Sequence, residues 1–135
     1  QNDAALRMQN IVLKYNLPDK VVVESPKIDA LKSFVELNFR TAFYLPDLQN
    51  YSENQMYSVI DSLIPLINTV RPSALSQQFD AYSLLTQQFP NCDLLTWDLR
   101  FDLENADDSQ FINQLVTQQD RLKLFLVRKE SDSYR

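Results

Sequence analysis

Apolar positions recur every three to four residues through the first two thirds of this chain, and the period then shortens to two. Ala5, Met8, Val12 and Tyr15 predict a helix over 3–16. Asp3 can cap it, and Asn16, ahead of Leu17 and Pro18, can stop it without glycine. Val21, Val22 and Val23, within Lys20 to Glu24, predict a short strand or an extended linker. Ser25 then Pro26 is the favoured order of hydroxyl cap and first-turn proline, so a central helix is expected from there to Leu45 and Pro46. Its polar stripe is Asp29, Lys32, Ser33, Glu36 and Arg40, with Glu36 and Arg40 oriented for an i,i+4 ion pair.

Ser52-Glu53-Asn54-Gln55 is a capping box, and Met56, Ile60, Leu63, Ile67 and Val70 form an apolar stripe behind it. Pro65 lies inside this stripe and is expected to kink or split the helix of 52–70 near Leu63. Leu75, Phe79, Tyr82, Leu85 and Phe89 keep helical spacing after Pro72, which predicts a helix over 73–89 ending at Pro90-Asn91. Leu95, Trp97, Leu99, Phe101 and Leu103 then alternate with Thr96, Asp98, Arg100 and Asp102, the pattern of a half-buried strand over 94–103. Asn105 to Ser109 supplies turn and cap residues for a short helix marked by Phe111, Ile112, Leu115 and Val116. Arg121 to Lys129 alternates again and favours a strand over a continued helix, and Glu130 to Arg135 reads as a fraying tail.

The pattern adds up to an α+β domain, mainly helical, with four to five helices packed on a small two- to three-stranded sheet. The strands would be 94–103, 121–129 and Val21 to Glu24, and Trp97, Leu99, Phe101, Leu63, Phe79 and Leu115 would fill the core. A length of 135 residues suits one domain over 1–135, and the start at Gln1 suits a processed chain or a fragment of a larger protein.

Composition narrows the chemistry more than the fold. There is no glycine and no histidine. Turns can be carried by Asn16, Pro46, Pro72, Asn91 and Asn105, but glycine-dependent phosphate loops cannot be written, and the usual triads and zinc sites lose their base and ligand. The lone Cys92 sits beside Asp93 with no histidine to activate it, so it reads as a small half-buried residue. A net charge of −5 argues against nucleic acid as the main partner, and no apolar run reaches the length of a membrane span. No cofactor and no metal site is implied. Asp98, Arg100 and Asp102, followed by Glu104, Asp107 and Asp108, read as a solvated strand face with an ion-pair ladder ahead of a cation site. Arg121, Lys123, Arg128, Lys129 and Arg135 would neutralise that face across the sheet, or else dock an acidic partner or anionic lipid headgroups.

Between Thr41 and Asn91 the only charged residues are Asp47, Glu53, Asp61, Arg71 and Asp80. Low charge with tyrosine at hand is the make-up of interface cores. The expected partner-binding residues are therefore Tyr51, Tyr57, Gln77, Tyr82 and Gln87, on a charge-poor surface of the helices 52–70 and 73–89. The expected function is a non-catalytic protein–protein interaction or regulatory domain, bound to a protein partner or to itself. The alternative is a small-molecule sensor with an apolar pocket between helices and sheet. A hydrolase using Asp98 and Asp102 comes third.

Overall fold

The computed structural model describes residues 3–17 and 19–128. Pro18, Lys129 and the tail from Glu130 to Arg135 lie outside the described residues. The elements run α1 (Asp3–Lys14), β1 (Val22–Ser25), α2 (Ile28–Glu36), β2 (Arg40–Tyr44), α3 (Glu53–Val70), β3 (Ala74–Gln78), α4 (Tyr82–Gln88), β4 (Leu94–Asp102), α5 (Ala106–Gln118) and β5 (Leu122–Arg128). Short 3-10 turns occupy Leu48–Asn50 and Phe79–Ala81. The strands form one five-stranded sheet in the order β1-β2-β3-β4-β5.

This is an α/β fold with an all-parallel sheet, which corrects the expected α+β domain on two or three strands. Two strands were hidden inside predicted helices. The segment 26–45 divides at Asn38, which adopts φ 62° and lets Phe39 N–H reach back to Phe34 O at 3.0 Å, closing α2 and releasing β2. The segment 73–89 begins as β3 and becomes helical only at Tyr82. Thr41, Ala42 and Phe43 are buried in succession in β2, as are Ala74 to Gln77 in β3. Strands covered on both faces show no alternation, so periodicity alone cannot separate them from buried helix.

The chain divides into two compact units, Gln1–Leu75 and Ser76–Arg135. In the first, β1 and β2 pair in parallel, with Val22 opposite Arg40 and Ser25 opposite Phe43. The crossover helix α2 packs on both strands and on α3. Its cap is Lys27 without a side-chain bond, because Ser25 ends β1 and its hydroxyl accepts from Lys27 N–H at 3.0 Å. Arg40 begins β2 and donates to Asp19 O at 3.2 Å, so the ion pair expected with Glu36 does not form. Thr41 and Ser73 exchange reciprocal bonds, each backbone N–H donating to the other's hydroxyl at 3.0 and 3.1 Å.

The capping box is present: Ser52 Oγ accepts from Gln55 N–H, and Gln55 Oε1 accepts from Ser52 N–H at 3.1 Å. The helix then runs unbroken through Pro65 to Val70, so the expected split does not occur. It closes at Arg71, whose φ of 57° is left-handed. Asn16 closes α1 in the same conformation, φ 55°, as its stop signal implied.

In the second unit β4 and β5 pair in parallel, joined by α5. Asn105 caps α5 by accepting from Asp107 and Asp108 N–H at 3.0 and 3.1 Å. The strand expected at 94–103 is β4, but its burial is the reverse of the expected phase. Leu94, Thr96 and Asp98 are buried, Leu99 is exposed, and Trp97 and Phe101 are half-buried. Leu63, Phe79 and Leu115 are also half-buried, so of the expected core residues five line the margin of the core and Leu99 lies outside it. The phase reverses because internal partners satisfy the polar residues: Thr96 Oγ1 donates to Gln77 O at 2.8 Å, and Asp98 accepts from Arg100. Among the described residues no helix is long and apolar enough to cross a membrane.

Candidate functional site

Register decides which side chains share a face of the β4–β5 pair. Thr96 lies opposite Phe125 and Asp98 opposite Val127, while Leu95 lies opposite Leu124 and Trp97 opposite Leu126. The first set faces α5. Phe125 meets Phe79 at 4.9 Å and Phe101 at 5.8 Å between ring centroids, and Phe101 stacks on Phe111 of α5 at 5.4 Å. Such aromatic contacts supply apolar burial and edge-to-face attraction together. The second set faces away from that cluster. There Leu124 is 40% and Leu126 52% exposed, and Leu99, in the irregular stretch of β4 after Asp98, is 65% exposed. An extra residue in β5, Lys123, sits between the pairs Leu94–Leu122 and Leu95–Leu124, and this bulge turns Leu122 inward while leaving Leu124 and Leu126 outward.

A second irregularity interrupts β4 between Asp98 and Asp102. It lets Arg100 N–H and Nε both donate to Asp98 Oδ1 at 2.9 Å, while Nη2 donates to Asp98 Oδ2 at 2.6 Å and to Asp80 Oδ1 at 2.5 Å. Asp98 is only 7% exposed. Its hydrogen bonds from Arg100 hold the carboxyl below the usual range against the opposing effect of burial, and the two carboxylates push Arg100 further up. The expected solvated ladder is thus a buried carboxylate under a partly exposed guanidinium. A cleft of about 370 Å³ opens here, lined by Gln78, Asp80, Trp97, Asp98, Leu99 and Arg100. It lies where β3 ends and β4 bulges, toward the carboxyl ends of parallel strands, the side on which open α/β sheets bind ligands.

Asp102 does not join this group. Its carboxylate lies 3.9 Å from Arg128 and accepts from Glu104 N–H at 2.9 Å, and its N–H donates to Asp108 Oδ2 at 2.9 Å. The Asp102–Arg128 pair spans β4 and β5, the neutralisation expected of the basic segment. Arg121 is spent on carbonyls of Thr86, Phe89 and Cys92, at 3.0, 2.7 and 3.1 Å. Burial pushes the Cys92 thiol up, with Asp93 adding to it and Arg121 opposing, so this sulfur is a poor nucleophile at neutral pH.

The expected partner-binding residues divide between the two units. Tyr51 and Tyr57 are exposed, at the start of α3 and on it. Gln77 is 3% exposed within β3, Tyr82 is half-buried and stacked on Phe79 at 5.5 Å, and Gln87 is exposed near the end of α4. The buried strands β2 and β3 account for part of the low charge between Thr41 and Asn91, and the mostly exposed α3, with Glu53 and Asp61 as its charges, for more of it. Gln78, Asp80, Leu124 and Leu126 went unmarked as site residues. Leu124 and Leu126 carried a signal in their alternation, but nothing local ties Asp80 to residues 97–100.

Comparison of the chain with protein-family models, with curated proteins and with solved structures finds no match.

Proposed function

We propose that this chain is a non-catalytic protein-interaction domain, and that the open face of the β4–β5 pair is the surface through which it works. The observation that carries this is the exposure of Leu124 and Leu126 on the face turned away from α5, with exposed Leu99 in the β4 bulge beyond Trp97. Contiguous exposed apolar side chains rimmed by polar residues mark interaction surfaces. The nearest ionic groups, Asp98 and Arg100, are engaged with each other.

The test is proximity labelling in cells with the full chain and with a Leu99→Lys, Leu126→Lys double variant whose fold is checked by circular dichroism. Neighbours captured by the parent and lost by the folded variant are the expected result. An unchanged set of neighbours overturns the proposal. Sedimentation equilibrium on the same pair separates self-association from a different partner.

A further inference from the structure

The Trp97 cleft and the leucine strip adjoin, because Trp97 lines the cleft and lies opposite Leu126 in the ladder. At the cleft the balance is two carboxylates, Asp80 and Asp98, against one guanidinium, Arg100. Arg100 turns Nε and Nη2 onto those two carboxylates. An anion entering the cleft would meet the like charge of both carboxylates, which the single guanidinium does not fully offset. A cation meets the partly exposed carboxylate of Asp80, the amide of Gln78 and the indole of Trp97, and it neutralises the excess negative charge. A carboxylate pair beside an aromatic ring and an aliphatic strip fits a side chain with a long apolar stem and a cationic head.

We propose that this surface binds a protein segment in which a lysine or arginine is flanked by aliphatic residues, the cation entering the cleft between Asp80 and Trp97 and the aliphatic residues lying along Leu99, Leu126 and Leu124. The proposal rests on the interaction function proposed above and adds the chemistry of the partner. Trp97 is the only tryptophan in the chain, so its fluorescence reports occupancy of the cleft directly.

The experiment pans a random dodecapeptide library against the full chain, with the Leu99→Lys, Leu126→Lys variant as counter-target, and then titrates enriched peptides by Trp97 fluorescence. Expected are peptides carrying Lys or Arg among Leu, Ile or Val that shift the Trp97 emission saturably. An Asp80→Asn variant, changed at a partly exposed carboxylate, should weaken them by about two- to fivefold, the range of an exposed ion pair. Replacing the peptide's basic residue by Glu should abolish binding. Enriched acidic peptides that still require Leu99 and Leu126 overturn the basic partner while leaving the interaction surface standing. Peptides that bind Asp80→Asn and parent equally also overturn it. Failure to enrich any peptide that depends on the two leucines overturns both proposals.

Discussion

Arg121 donates from Nη1 to the carbonyl oxygen of Phe89 at 2.7 Å, tying the start of β5 to the residue that ends α4. The same guanidinium reaches Cys92 O and, through Nη2, Thr86 O. The last carbonyls of a helix lack partners within it, and a cation there also meets the negative end of the helix dipole. Arg121→Ala should lower the unfolding free energy by about 2 kcal/mol, as expected for losing hydrogen bonds from a charged donor to part-buried acceptors. Arg121→Lys should recover only part of this, since a single ammonium cannot reproduce the planar fork. Urea unfolding monitored by circular dichroism measures both.

Asp98 makes the stability of the second unit depend on pH in a defined direction. Its carboxyl is held below its ordinary value of 3.8, first by the Arg100 hydrogen bonds. A group with a depressed folded pKa contributes stability above its unfolded value, and that contribution is lost as pH falls through the folded one. The urea midpoint of the parent should therefore change little from this group between neutrality and pH 5, then fall below pH 4. Asp98→Asn should start lower at neutral pH and lose less on acidification, so the two curves converge. Parallel curves down to pH 2 would show that the pair is not linked to folding.

How much of this fold was legible depended on what covers each strand. The alternation of 95–103 marked β4, and the Ser52 to Gln55 box marked the start of α3, because each is a local pattern with a local cause. β2 and β3 carried no such mark, since burial on both faces removes the polar partner of each alternation. The phase of β4 was misread for a related reason. Leu99 is more apolar than Asp98, yet the bulge lets the partly exposed Arg100 fold its guanidinium over the buried Asp98 while Leu99 is left exposed. Asp80 joins Arg100 through the chain's return from β3 into β4, a relationship that tertiary structure alone supplies.

Without glycine, the chain places Arg71 in the left-handed region at the end of α3, with φ 57°. An L-residue carrying a β-carbon is disfavoured there by about 1–2 kcal/mol. The Arg71 side chain recovers little, since its Nε donates to Asn68 O at the long distance of 3.4 Å. Arg71→Gly should raise the unfolding free energy by about 0.5–1 kcal/mol, the strain relieved exceeding the added entropy of the unfolded chain. Arg71→Val should lower it, because a β-branched residue fits this region less well. Asn38, at φ 62°, tolerates the same conformation better, and Asn38→Gly should gain less. Thermal melts of the three variants rank them.

The two sides of β4 should respond oppositely to substitution. Leu94 is fully buried and Leu122, its partner across the ladder, is 3% exposed. Truncating either to Ala should lower the unfolding free energy by about 2–5 kcal/mol through lost burial and the cavity left behind. Leu99 and Leu126 are both more than half exposed, and Lys at either position should change it by no more than about 0.5 kcal/mol, as exposed substitutions do. The same lysines should reduce binding of an apolar dye such as ANS, since they break the exposed strip, whereas Leu94→Ala should raise it by loosening the unit. If Leu126→Lys proves as damaging as Leu94→Ala, the face turned away from α5 belongs to the core and cannot be the contact surface.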